Sequence, residues 1–106
     1  MMKHNTIVDL VEFYLKREHK THTIRKYFLY PHGEVDILRI DSLDRIYHAY
    51  EIKSSDNEKR KIKAFEQLER FGKWVILNYS FDYNGYFVRP TGNQITIEKL
   101  ITEKKQ

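Results

Sequence analysis

The chain has 106 residues, a length typical of one domain, and contains no cysteine, which excludes a disulfide framework and any metal site built on thiolates. Lysine and arginine number 19 against 15 aspartates and glutamates, and the net charge of +4 suits a polyanionic partner. No apolar run is long enough for a signal peptide or a membrane span, so we expect a cytoplasmic protein with no membrane contact.

The first half of the sequence predicts one helix followed by three strands. Apolar residues at helical spacing predict an amphipathic helix over residues 6–18. Aromatic and β-branched runs predict strands at 23–30, 34–40 and 46–53, separated by a Pro-His-Gly turn and by a polar loop. The short connections indicate an antiparallel meander.

The second half predicts another helix and then further strands. Good helix formers over residues 58–71 carry an apolar position at every third residue, and Gly72 is placed to end the helix. The apolar run Trp74–Tyr79 predicts a buried strand, which after a helical crossover lies parallel to a neighbour. Residues 86–88 predict a strand stopped by Arg-Pro, and residues 94–100 fit either an edge strand or a final helical turn. The expected fold is α/β (α+β), a single domain over 1–106 with a mixed sheet flanked by helices.

The predicted hairpin of the second and third strands carries the chemistry. Pairing about its turn sets Asp36 opposite Tyr50 or Glu51. Because side chains on a strand alternate between faces, Glu51 and Lys53 share one face and Ile52 points to the other. Two neighbouring carboxylates repel, and a divalent cation with a preference for oxygen, Mg²⁺ or Mn²⁺, relieves that conflict. From spacing alone, a surface salt bridge of Lys53 at a sheet edge is an equally open interpretation.

Two segments resemble a known signature. Gly-Glu-Val-Asp-Ile at 33–37 and Tyr-Glu-Ile-Lys-Ser-Ser at 50–55 are similar to the motif of the PD-(D/E)XK nuclease superfamily, an acid on one strand followed by Glu-x-Lys on the next. The predicted order of elements also resembles the core of that restriction-endonuclease-like fold, over roughly residues 6–80. The sequence departs from the motif at Val35, where the family name has proline.

The resemblance implies a Mg²⁺-dependent deoxyribonuclease, with Mn²⁺ as a substitute metal. Asp36, Glu51 and the backbone carbonyl of Ile52 would bind the metal, and Lys53 would act on the attacking water or on the transition state. Members of the family often add an acid from the first helix, for which Glu12 is preferred here over Asp9, with a solvated helix face as the alternative.

The resemblance also bears on the second helix and on the substrate. Gln67 followed by Phe71 is similar to a Gln-x-x-x-aromatic motif in the exonuclease-like branch, which implies a polar contact near the site or to DNA. Basic stretches at 16–26 and 59–63 would line the DNA surface, unless they are simply solvated faces. The small relatives in style are Holliday junction resolvases and virus-type repair nucleases, and a resolvase would act as a homodimer. The alternatives are an RNA nuclease or a non-catalytic DNA- or protein-binding module that keeps the nuclease fold.

Overall fold

The computed structural model of the protein describes residues 2–105, which form two helices and a five-stranded sheet. The helices are α1 His4–Glu18 and α2 Glu58–Asn78. The strands are β1 Thr23–Tyr30, β2 Gly33–Asp41, β3 Ile46–Ile52, β4 Asp82–Thr91 and β5 Gln94–Glu103. The predicted α+β fold and the order of one helix, three strands and a second helix are confirmed, and two further strands follow. Within residues 2–105, no helix has the length and apolar character needed to cross a membrane.

The five strands lie in the sheet in the order in which they occur along the chain. Neighbouring strands are antiparallel except β3 and β4, which run parallel from the pair Ile46–Asp82 to the pair Ile52–Val88. A parallel pair requires a long crossover, and α2 supplies it. The predicted meander of three antiparallel strands and the mixed sheet are therefore confirmed.

One helix covers each face of the sheet, and each helix builds its own core. Apolar residues of α1 pack with four inward-facing residues of the strands, the full set being Ile7, Val8, Val11, Leu15, Ile37, Tyr50, Ile52 and Val88. On the opposite face α2 packs in the same way, and this set is Val35, Leu38, Ala49, Leu68, Phe71, Val75, Tyr83 and Ile101. Burying each large apolar side chain contributes about 1.5–3 kcal/mol, so both helices are held mainly by these contacts.

The prediction that Gly72 ends the second helix and that Trp74–Tyr79 forms a strand is wrong. The helix α2 continues without interruption to Asn78. Gly72 is instead a packing position: a Cβ atom there would lie 2.5 Å from Cε2 of Tyr83, which β4 contributes to the same core. The strand that runs parallel to β3 is therefore β4, which the prediction had placed too early in the chain.

The C-terminal hairpin is longer than predicted. Residues 86–88 do form a strand, but β4 runs past Arg89 and Pro90 to Thr91, so the expected stop is wrong. Pro90 is tolerated because it lies beyond Val88, the last residue of β4 that pairs with β3, where no ladder hydrogen bond to β3 is required. Of the two alternatives for residues 94–100, the structure has the edge strand, β5.

Candidate active site

The site forms where β2 and β3 separate. Their ladder ends with Ile37 opposite Tyr50, so the next two residues, Asp36 and Glu51, face each other just past the last pair. The strand β3 keeps its pairing with β4 for two more residues, to Ile52. A gap therefore opens between β2 and β3 at Asp36, where the backbone N–H of Ile52 bonds to a side chain of β2 instead of its backbone.

An irregularity in β1 lies beside this gap. The β1–β2 register passes from Lys26–Ile37 to Phe28–Val35, over Tyr27 and Asp36, and Tyr27 has a φ of 53°. A left-handed conformation in a residue other than glycine costs about 1–3 kcal/mol and is often found at functional sites. On either side of it the side chains change faces: Ile37 packs under α1 and Val35 under α2.

Asp36 links three elements through one carboxylate oxygen. Its Oδ2 atom accepts a hydrogen bond from the backbone N–H of Ile52 at 2.8 Å, which bridges the gap to the end of β3. The same oxygen lies 3.2 Å from Nε2 of His4, in the first turn of α1. His4 was not among the predicted site residues, and no spacing pattern marks it, because its partner lies far away in the sequence.

Glu51 is a buried acid, with only 3% of its surface exposed. Burial, and after it the negative charge of Asp36, raise the pKa of Glu51 to about 8 against the opposing effect of the Lys53 ammonium. Near neutral pH this carboxyl therefore largely keeps its proton. A carboxyl group with a strongly raised pKa, lying beside a second acid and a lysine, is an arrangement that is concentrated at functional sites.

Lys53 follows β3 directly and is held in place at both its backbone and its side chain. Its N–H donates to the carbonyl of Val88 at 2.9 Å. Its ammonium donates to Oε1 of Gln67 at 2.9 Å, and Gln67 lies on the middle turns of α2. The structure thus brings together four of the predicted site residues, Asp36, Glu51, Lys53 and Gln67, from three different elements and the start of a loop.

The two acids of α1 make contacts elsewhere. Glu12 lies 3.3 Å from the ammonium of Lys16 and 3.5 Å from that of Lys26, and Asp9 lies 3.0 Å from Lys26. Glu12 is eight residues beyond His4 on the helix, a distance of about 12 Å along its axis. The structure therefore places the first-helix acids in surface ion pairs, and the first-helix residue that contacts Asp36 is His4.

Whether a metal ion fits this site depends on which of its atoms can act as ligands. Among residues 2–105, no three or more His, Cys, Asp or Glu side chains are grouped so as to hold a metal. A metal at this site would have the carboxylates of Asp36 and Glu51 and the Ile52 carbonyl as protein ligands, completed by water and phosphate oxygens. Mg²⁺ is commonly bound in this way, through one or two carboxylates with several waters retained. The two carboxyl groups repel each other once both are ionised, and a cation bound between them would offset that repulsion.

No protein-family model matches the sequence, and no curated protein matches it as a relative.

Proposed function

We propose that the protein is a metal-dependent nuclease of the PD-(D/E)XK type, which hydrolyses DNA phosphodiester bonds. The observation that carries the proposal is the meeting of Asp36, the buried Glu51 and the Gln67-bound Lys53 where two strands separate. The order of elements, the parallel β3–β4 pair and the helices on both faces support a restriction-endonuclease-like core. The net charge of +4 supports a polyanionic substrate.

Each site residue has a role that its position supports. Asp36, Glu51 and the Ile52 carbonyl would hold Mg²⁺ or Mn²⁺, which when bound supplies a more acidic water and a counter-charge for the phosphate. Lys53 presents an ammonium that donates hydrogen bonds to the oxygens of the reacting phosphate as negative charge develops on them. The backbone N–H of Ile52 and Nε2 of His4 both contact Oδ2 of Asp36, so a cation would be bound through Oδ1.

Gln67 is a positioning residue in this scheme, because it acts through Lys53. We expect Gln67→Ala to lower the cleavage rate roughly tenfold, the lower end of the effect of removing a residue that orients a site group. Single-turnover cleavage measured beside urea unfolding tests this, with Gln94→Ala at the start of β5 as the matched control. An unchanged rate in a folded Gln67→Ala protein would remove Gln67 from the mechanism.

The proposal extends to the kind of nuclease. A structure-selective endonuclease, such as a Holliday junction resolvase, is the finer proposal, supported by the small size of the domain, and a resolvase would act as a twofold homodimer. Phosphate contacts position such an enzyme without reading sequence.

The decisive experiment is cleavage of a labelled panel in Mg²⁺, Mn²⁺ or EDTA. The panel contains single strand, duplex, flap, four-way junction and RNA, and each is tested with wild type, Glu51→Ala and Lys53→Met. We expect cleavage that requires metal and is lost in both variants. If wild type binds DNA but cuts no member of the panel, and the variants bind equally well, the enzyme proposal is replaced by a non-catalytic binding module.

A further inference from the structure

One face of α2 carries a row of cationic and aromatic side chains, and this row runs directly beside the candidate active site. Residues three and four apart share a helix face, and this spacing aligns Arg60, Lys63, Gln67, Arg70 and Trp74. Gln67, in the middle of this row, is the residue that holds Lys53. A chain of phosphates laid along the row would therefore pass the site and continue toward Trp74.

A cleft lies at the far end of this row. It has a volume of about 400 Å³ and is lined by His32, Arg70, Lys73, Trp74, Leu77 and Asn78. The indole of Trp74 is held by three neighbouring aromatic rings, with centroid distances of 5.3 Å to Tyr30, 5.7 Å to Phe71 and 5.3 Å to Tyr79. Trp74 is half-buried and lines the cleft, so its indole is both held in place and available for a base to stack on.

The cleft is connected to the candidate active site along α2, which carries both Gln67 and Trp74. The ring of Tyr30 contacts Phe71 and Trp74. Along α2, Trp74 lies seven residues beyond Gln67, about 10 Å away.

We propose that this cleft binds one unpaired nucleotide of the DNA strand, with its base stacked on Trp74 and its phosphate held by Arg70 and Lys73. The proposal rests on the proposed nuclease function for the position of the cut. Bases in a duplex are stacked between their neighbours, so only an unpaired base can present its face to Trp74. At about 3.4 Å per nucleotide of a stacked strand, the cleft lies roughly three nucleotides from Lys53 and Gln67. Among the substrates of a structure-selective endonuclease, the cleft thus favours DNA with a single-stranded segment close to the cut, such as a flap or an overhang, over a fully paired four-way junction.

Trp74 is the single tryptophan of the chain, so its fluorescence reports the cleft directly. The full chain is titrated in EDTA with a short oligothymidylate, and separately with a blunt-ended duplex of equal strand length. We expect saturable quenching by the single strand and none by the blunt duplex. Binding is followed in parallel by the anisotropy of a dye attached to the DNA.

The variants are chosen to keep the fold intact. Arg70 and Lys73 are exposed, and we expect Arg70→Gln to weaken single-strand binding roughly tenfold, as the loss of a charge-assisted phosphate contact does. Trp74→Phe retains an aromatic ring for the core and weakens binding less than Trp74→Ala. Lys105→Gln, an equal loss of charge in the C-terminal tail, is the control and should bind as wild type does.

Two results would overturn the proposal: DNA binding by anisotropy with no change in Trp74 fluorescence, or equal quenching by the blunt duplex. The outcome is separable from that of the nuclease proposal, because no metal is present. Quenching without cleavage in Mg²⁺ would support the nucleotide subsite and contradict the nuclease proposal. Cleavage without quenching would support the nuclease proposal and contradict the subsite.

Discussion

The Glu51→Gln protein is expected to be more stable than wild type at pH 8, by on the order of 4 kcal/mol in the free energy of unfolding, and inactive in cleavage. The pKa of Glu51 is about 8 in the folded protein against an ordinary value of 4.5. Because folding raises this pKa, the contribution of Glu51 to the free energy of unfolding is fully present below pH 4.5. It is lost progressively as the pH rises toward 8, since the unfolded chain ionises more readily than the folded one. Glutamine has nearly the same shape and cannot ionise, so it escapes the loss.

Urea unfolding in EDTA at pH 5, 6.5 and 8 measures this effect. The difference between variant and wild type should be small at pH 5 and grow by at most about 1.4 kcal/mol per pH unit. Glu66→Gln, at an exposed position on α2, is the matched control and should give a constant difference. Parallel stability curves for wild type and Glu51→Gln would show that Glu51 is not held as a buried, protonated acid.

His48 has the opposite pH dependence and does not disturb this comparison. Burial and the positive charge of Arg39 lower the pKa of His48 to about 3. Its unfolded form takes up a proton below about pH 6.5, so stability falls as the pH is lowered from 6.5 toward 3. Because wild type and Glu51→Gln both contain His48, this loss cancels in their difference.

Adding Mg²⁺ to the same unfolding experiment tests whether Glu51 binds a metal ion. A cation held by ionised Asp36 and Glu51 stabilises the folded state by about 2.7 kcal/mol when its concentration is 100 times the dissociation constant. Wild type should therefore gain stability with Mg²⁺ at pH 8, and Glu51→Gln, with one carboxylate removed, should gain much less. Equal gains would place the metal away from Glu51.

Much of the candidate site could be predicted from sequence because it depends on short-range geometry. The period of two in a strand puts Glu51 and Lys53 on one face, and a tight hairpin brings Asp36 to them. Two features could not be predicted in this way. The contact of His4 with Asp36 depends on α1 beginning at His4 rather than at residue 6, and the left-handed backbone of Tyr27 is set by tertiary packing.

The fold was predicted less well where the sequence is most apolar. The run from Trp74 to Tyr79 has no polar residue before Asn78, so it lacks the alternation that separates a strand from a helix. In the structure Val75 is buried and Leu77 is 84% exposed, as a helix with one buried face requires. Gly72 supported the wrong boundary, because a glycine that ends a helix and one that allows close packing look the same in a sequence.

Gly72→Ala distinguishes these two roles and should destabilise the protein by about 2 kcal/mol. A Cβ atom at residue 72 would lie 2.5 Å from the ring of Tyr83, far inside van der Waals contact. The ring cannot move away freely, because it is fully buried and its hydroxyl donates to the carbonyl of Leu68 at 2.7 Å. The higher helix propensity of alanine returns at most about 1 kcal/mol, so the clash dominates.

The measurement is urea unfolding of Gly72→Ala beside Lys73→Ala, an exposed neighbour on the same helix that should remain near wild type. The clash is isolated by a double-mutant cycle with Tyr83→Leu, which removes the ring that a residue-72 Cβ would meet. We expect Gly72→Ala to cost much less in the Tyr83→Leu background than in wild type. A Gly72→Ala protein as stable as Lys73→Ala would mean that α2 and β4 are not packed this closely. Gln67 lies on the same helix, so that result would count against its hydrogen bond to Lys53 as well as against the packing of α2.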